Sequence, residues 1–177
     1  MMLKKWIAYA AISLLATPSW AADVMRHSSS PEALILMGVT VPEGATTLYL
    51  SGALPSIADA TMPATSVEAY GDTKTQTLST LARIKSNLES LGWSMSDVVK
   101  LTVFLAGDPK LGGKMDFKGM NEAYAQYFGS ATNPNKVARS TVQVAALVGP
   151  QFLIEIEAVA VKAKKSAKPS ENTPLSE

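Results

Sequence analysis

Two stretches near the C-terminal end of the sequence alternate with a period of two, and they constrain the fold more than anything else in it. The first is Val137-Ala138-Arg139-Ser140-Thr141-Val142-Gln143-Val144; the second is Phe152-Leu153-Ile154-Glu155-Ile156-Glu157-Ala158-Val159-Ala160-Val161. Alternation of this kind marks a half-buried strand. On the first, Ala138, Ser140, Val142 and Val144 share one face, leaving Arg139, Thr141 and Gln143 on the other. On the second, Ile154 and Ile156 oppose Glu155 and Glu157. A guanidinium fork and two carboxylates are therefore expected on neighbouring strands, which suits the reading of an anion with an acid–base group beside it. The plainer alternative is a structural ion pair between Arg139 and Glu155 across a subunit interface.

The two ends of the sequence read as non-globular. Lys4 and Lys5 precede an apolar run from Trp6 to Ala16, and Pro18-Ser19-Trp20-Ala21 offers small residues at cleavage positions. That is the pattern of a secretory signal peptide over 1–21, cut after Ala21. The competing reading is a membrane anchor, but the run is shorter than the roughly 20 apolar residues a span requires. Export to a bacterial periplasm or to the outside of the cell follows, with no membrane span after cleavage. Residues 22–32 are expected to form a flexible lead-in. From Lys162 the chain turns basic and then polar, so 163–177 reads as a disordered tail. About 130 residues remain for one compact domain over 33–162.

Composition narrows the chemistry. Removing Lys4 and Lys5, with no acids in the leader, takes the formal charge from +1 to −1, so no nucleic-acid partner is expected. With Cys 0 and His 1, thiolate catalysis is ruled out and no metal site is expected. No cofactor motif is visible: GxGxxG, a P-loop and a serine nucleophile elbow are all missing. The single His27 lies beside the expected mature N-terminus, a poor place for a catalytic base.

Along the domain, Ala33–Val41 and Thr47–Gly52 read as strands joined by the turn Pro42-Glu43-Gly44-Ala45. Residues 53–71 read as a loop. Asp72 caps a helix with Leu78, Leu81, Ile84, Leu88 and Leu91 on its apolar face, stopped by Gly92. Val98–Leu105 follows as a central strand. A second helix is expected over 116–128, with Phe117, Met120, Tyr124 and Tyr127 as its buried stripe. The order ββ-αβ-αββ predicts an α+β two-layer domain, a mixed sheet packed by two helices.

The same residues carry a resemblance. Leu50-Ser51-Gly52, Leu88-Glu89-Ser90-Leu91-Gly92, Asp97–Val103, Met120-Asn121-Glu122-Ala123-Tyr124, Ala138-Arg139-Ser140 and Ile154–Val161 occur in one order across nearly the whole domain. In this the chain resembles the Rid family of reactive intermediate deaminases, also called YjgF-like proteins. The resemblance implies a chorismate-mutase-like fold and a homotrimer with ligand clefts between subunits. It implies hydrolysis of enamines and imines, such as 2-iminoacids, to ketoacids and ammonia, without cofactor. By the same resemblance Arg139 matches the residue that binds the substrate carboxylate, and Glu155 the one associated with the attacking water. Ser51 and Gly52 match cleft-lining residues, and Asn121 a residue at the subunit boundary.

The sequence departs from the family pattern at four places. Ala33–Gly38 lacks the tyrosine that many members carry in the first strand, and Thr141, by the same resemblance a substrate-binding candidate, stands where cysteine is frequent. Leu111-Gly112-Gly113-Lys114 looks inserted. The link from Arg139 to Glu155 is one residue longer, which leaves Glu157 open beside Glu155 as the site glutamate. Two other functions stay in view: a non-catalytic trimer that binds small carboxylates or partner proteins, and a ribonuclease activity ascribed to some relatives. The last lacks a visible basic groove or catalytic histidine.

Overall fold

The structure, a computed structural model, describes residues 23–164. The expected leader, and the expected tail beyond its first two residues, lie outside the described residues. Four strands form the main sheet: β3 (Thr46–Ala53), β4 (Val98–Leu105), β5 (Ala138–Gln143) and β6 (Ile154–Lys162). Their order is β3-β6-β4-β5, with β4 and β5 parallel and the other pairs antiparallel. Helices α1 (Thr73–Ser90) and α2 (Phe117–Tyr124) pack on one face, giving the two-layer α+β domain with a mixed sheet that the sequence leads one to expect.

Helix α1 starts because the Asp72 carboxylate accepts the Thr75 N–H at 2.8 Å, which satisfies an otherwise orphaned donor. It stops at Gly92, whose φ of 76° lies in the left-handed region that glycine tolerates. Leu81, Ile84 and Leu88 are buried as expected, whereas Leu91 is 57% exposed. The N-terminal half of the buried face is polar instead: Thr73, Gln76, Thr77 and Thr80 are each 0% exposed. Helix α2 is shorter than expected and ends at Tyr124, after which turns carry the chain to Phe128. The Phe128 ring stacks on Tyr124 with centroids 5.1 Å apart. Phe117, expected in the buried stripe, is 45% exposed.

The core lies between the helices and the inward residues of the two central strands. Leu101, Val103 and Leu105 of β4 and Ile154, Ile156, Ala158 and Ala160 of β6 are all buried. The opposite face is open and mixed in character. Thr102, Phe104, Glu155 and Val159 lie on it half-buried, and Tyr49 stands 77% exposed.

Two expectations for the N-terminal part need correction. The strand expected over Ala33–Val41 shrinks to β2 (Gly38–Thr40), preceded by a single parallel bridge from Leu36 to Ala138. Neighbouring residues here bond in different directions: Leu36 N–H donates to Val137 O at 2.9 Å and Met37 N–H to His27 O at 2.9 Å. The run is therefore a junction between two partners, so its apolar character does not make a strand. The segment 22–32, expected to be a flexible lead-in, carries β1 (Met25–His27), paired antiparallel with β2. Its anchor is Arg26, which donates to Lys136 O at 2.6 Å, Ser96 O at 2.9 Å and Val98 O at 3.0 Å. His27 Nε2 meets Thr40 Oγ1 at 2.9 Å in the same hairpin.

Replacing Arg26 with methionine keeps the aliphatic stem but strands three carbonyls. Arg26→Met should lower unfolding stability by about 2 kcal/mol or more, measured by urea titration, and should speed hydrogen exchange in β1. Unchanged stability would show the arm to be dispensable.

Candidate functional site

The sequence-predicted site residues fall into two groups, one on each face of the sheet. Arg139 and Thr141 point from β5 toward the helices, because Arg139 is in register with Leu101 and Thr141 with Val103, both core residues. Asn121 comes to the same place from α2. Glu155, in register with Phe104, projects from the open face. Arg139 and Glu155 were expected on neighbouring strands; β4 lies between β5 and β6, and the two side chains leave opposite faces. An ion pair between them within one chain does not form.

The Arg139 group is built to hold a cation without neutralising it. Nη2 donates to Asn121 Oδ1 at 2.6 Å and Nη1 lies 3.6 Å from the Met120 sulfur. The guanidinium carbon sits 4.4 Å from the centre of the Tyr124 ring and 6.0 Å from that of Phe117. Cation–π contact and the amide dipole stabilise the charge. Burial pulls the Arg139 pKa down, but an arginine stays protonated at any working pH. Burial also pushes the Tyr124 phenol up, so the ring remains neutral beneath the guanidinium.

No carboxylate pairs with Arg139: the ion pairs among the described residues are Lys74–Glu122, Lys85–Glu89 and Lys118–Glu122. Guanidinium has five N–H donors, and one good protein bond uses few of them. Two residues along the same face, Thr141 Oγ1 is shut from solvent with no hydrogen-bond partner. A half-buried cation with spare donors and an idle hydroxyl beside it is chemically suited to a carboxylate ligand.

The second group surrounds an irregularity in β3. The β3–β6 ladder runs regularly to Leu50–Ala158 and then jumps to Ala53–Ile156, leaving Ser51 and Gly52 in a bulge. The Glu155 carboxylate lies against Gly52 so closely that a Cβ at that position would collide with it. A cleft of ≈ 500 Å³ opens beside the bulge between the β3 edge and α1, lined by Ser51, Gly52, Leu54, Arg83, Asn87 and Leu91. Glu155 is half-buried, while Glu157, two residues on along the same face, is exposed and lines a separate depression with Lys100 and Thr102. Of the two glutamates, Glu155 is the one set against Gly52.

Sequence reasoning missed the Tyr124 shelf. The spacing of α2 marks Tyr124 as core, and it is 1% exposed, yet the same ring carries Arg139. Arg83 was missed as well, since an exposed arginine on an amphipathic helix gives no signal.

Comparison with known proteins places this fold in a family. The family model described as Endoribonuclease L-PSP matches residues 40–162. The chain belongs to that family, the Rid or YjgF-like proteins. A RutC family protein of Pyrococcus horikoshii is 41% identical over 115 residues, 65% of this chain and 79% of its own length. The fold is shared with a Rid-family protein of unknown function, YyfB from Yersinia pestis, at TM-score 0.57 and 24% identity, covering 78% of this chain and 96% of that one. TdcF from E. coli, whose crystal structure holds serine, aligns at TM-score 0.51 and 29% identity over 75% of this chain and 95% of its own.

The Gly52 contact can be tested alone. A methyl group there meets the far end of a flexible side chain, so Gly52→Ala should cost no more than about 1 kcal/mol in unfolding stability. It should nevertheless drive the Glu155 carboxylate off the bulge, visible as a moved Glu155 side chain in a crystal structure. A Glu155 left in place would refute the contact.

Proposed function

We propose that the protein hydrolyses 2-iminoacids to ketoacids and ammonia at a site completed by two copies of the chain. One copy contributes Arg139, Asn121 and Thr141; another contributes Glu155 with the Ser51–Gly52 bulge. The observation that carries this reading is the half-buried Arg139, without an acidic partner among the described residues, on the sheet face opposite Glu155. Family membership supports it, as does the serine held by the TdcF relative, an amino acid of the size and charge of a small iminoacid.

The chemistry follows from the groups. Arg139 takes the substrate carboxylate through paired N–H donors, orienting the adjacent C=N carbon. A protonated imine is already electrophilic, so no cofactor is required for water to add. Glu155 accepts a proton from that water as its oxygen bonds to carbon. Glu155 returns that proton to the nitrogen of the resulting carbinolamine, the C–N bond breaks as the hydroxyl oxygen forms the C=O, and the hydroxyl proton passes to the released ammonia, giving ammonium. One imine and one water give one ketoacid and one ammonia. In this proposal the leader-like first 21 residues place the activity in the periplasm or outside the cell.

The direct test generates 2-iminoacids with an amino-acid oxidase and follows ketoacid release. Arg139→Ala should lower kcat/KM about 10²-fold or more, the value of two charge-assisted hydrogen bonds, and Arg139→Lys should recover little of it. Glu155→Gln should reduce kcat about 10²-fold with KM nearly unchanged. Failure of purified protein to accelerate hydrolysis would sink the enzymatic reading, and ketoacid binding without turnover would leave a carboxylate-binding assembly. The family's description also raises endoribonuclease activity; RNA degraded by clean protein would favour that instead.

The two-copy site makes a separate prediction. Inactive Arg139→Ala and Glu155→Gln proteins, unfolded together and refolded, should regain roughly a quarter of wild-type activity, as random mixing in a symmetric oligomer dictates. No recovery, or a fully active monomer by light scattering, would overturn the shared site.

A further inference from the structure

We propose that Gln76 is the positioning residue for Glu155, holding the start of β6 so that the carboxylate stays against the Gly52 bulge. Gln76 is 0% exposed in the second turn of α1. Its Oε1 accepts the Leu153 N–H at 2.8 Å, and its Nε2 donates to Gln151 O at 3.1 Å and Gly71 O at 3.0 Å. One buried amide thus joins the entry to α1 to the last residues of the β5–β6 loop. Helix packing does not call for a polar group here, and its bonds leave its own helix. By contrast the buried Thr77 Oγ1 returns to Thr73 O at 2.6 Å, inside α1.

The location of those bonds is what links them to the site. Glu155 is the second residue of β6 and lies beyond the last β3 pair, Ala53–Ile156. Along β3 the ladder is already interrupted by the bulge, so this end of β6 is held mainly from the β4 side. Leu153 is pinned from both directions, its N–H by Gln76 and its C=O by Ala106 N–H at 3.0 Å. Removing the Gln76 amide frees one of these anchors two residues before Glu155. A displacement of even about 1 Å at a reacting group can cost about 10²-fold in rate, and groups that set such geometry act from outside the site.

The kinetic part rests on the proposed hydrolysis; the structural part does not. The experiment uses the full mature protein with carbon-13-labelled glutamate, comparing Gln76→Met, Gln76→Glu and Thr77→Val. Gln76→Met should speed exchange of the Leu153 amide, shift the Glu155 carboxyl resonance and lower kcat at least about tenfold, with KM within about twofold because Arg139 lies on the other face. Thr77→Val, a comparably buried change without a tie to β6, should leave the resonance and kcat as in the wild type. Gln76→Glu keeps an acceptor for Leu153 and gains a donor when its introduced carboxyl is protonated, so lowering the pH should return the Glu155 resonance toward the wild-type position. The proposal is overturned by a folded Gln76→Met with unaltered kcat and Glu155 resonance, or by a Thr77→Val that loses as much kcat. If Gln76→Met does not fold, Gln76→Glu decides: a Glu155 resonance equal to wild type at every pH overturns the proposal. If the wild type hydrolyses no imine, the enzymatic reading fails, and the resonance alone decides the role of Gln76.

Discussion

Strand β6 is paired on both edges, and its alternation sets the terms for every other element. Ile154, Ile156, Ala158 and Ala160 face the helices while Glu155, Glu157 and Val159 face away. A slip of one residue would bury both carboxylates beneath α1 and expose the isoleucines, and an unpaired buried carboxylate costs several kcal/mol. Register is therefore enforced along the length of the strand. The small side chains of Ala158 and Ala160 let α1 lie close over it. On the β3 side the ladder relaxes at the Ser51–Gly52 bulge, which makes room for the Glu155 carboxylate.

The two half-buried arginines of the domain show how similar burial can lead to different roles. Both have their pKa pulled down by loss of water. Arg26 spends its donors on three backbone carbonyls at the base of β4 and before β5, and so fastens the N-terminal hairpin. Arg139 has an aromatic face beneath it, an amide at one edge and a sulfur at the other. Those contacts steady a cation without saturating it. A carboxylate of the protein in the same place would have neutralised it; the one acidic side chain of α2, Glu122, instead pairs outward with Lys74 and Lys118. Structure and function here differ by which hydrogen-bond acceptors the fold supplies.

Much of this was legible in the sequence because strong periodicities survive folding. The period of two in 137–144 and 152–161, the stretch 98–105 read as a central strand, and the three–four spacing from Leu81 to Leu88 each correspond to an element, and Asp72, Asp116 and Gly92 sit at helix ends. The order of strands in space was not legible. Strand β5 follows β4 through α2 and lies parallel beside it, the usual outcome of a strand–helix–strand crossover; β6 then takes the other edge of β4. That insertion separates Arg139 from Glu155, though only fifteen positions lie between them in the sequence. Gln76 was equally hidden. A glutamine in an amphipathic helix reads as solvent-facing, and only the position of Leu153 in space shows what it binds.

The placement of Arg139 and Glu155 on opposite faces also bears on the open face of the sheet. The sheet is covered by helices on one side and carries Tyr49, Phe104, Val142 and Val159 on the other, with Tyr49 and Val142 exposed to solvent. The same face holds Thr102, Glu155 and Glu157, so it is neither a core nor an ordinary solvated surface. Covering it with another copy of the chain would remove the apolar area from water and bring a second set of groups to Glu155 in one step. Under that arrangement the meeting of Glu155 with Arg139 and the assembly of the chain draw on the same buried surface. A chain that folds alone would then be stable through β6 and its helices, yet would carry Arg139 and Glu155 on faces that never meet.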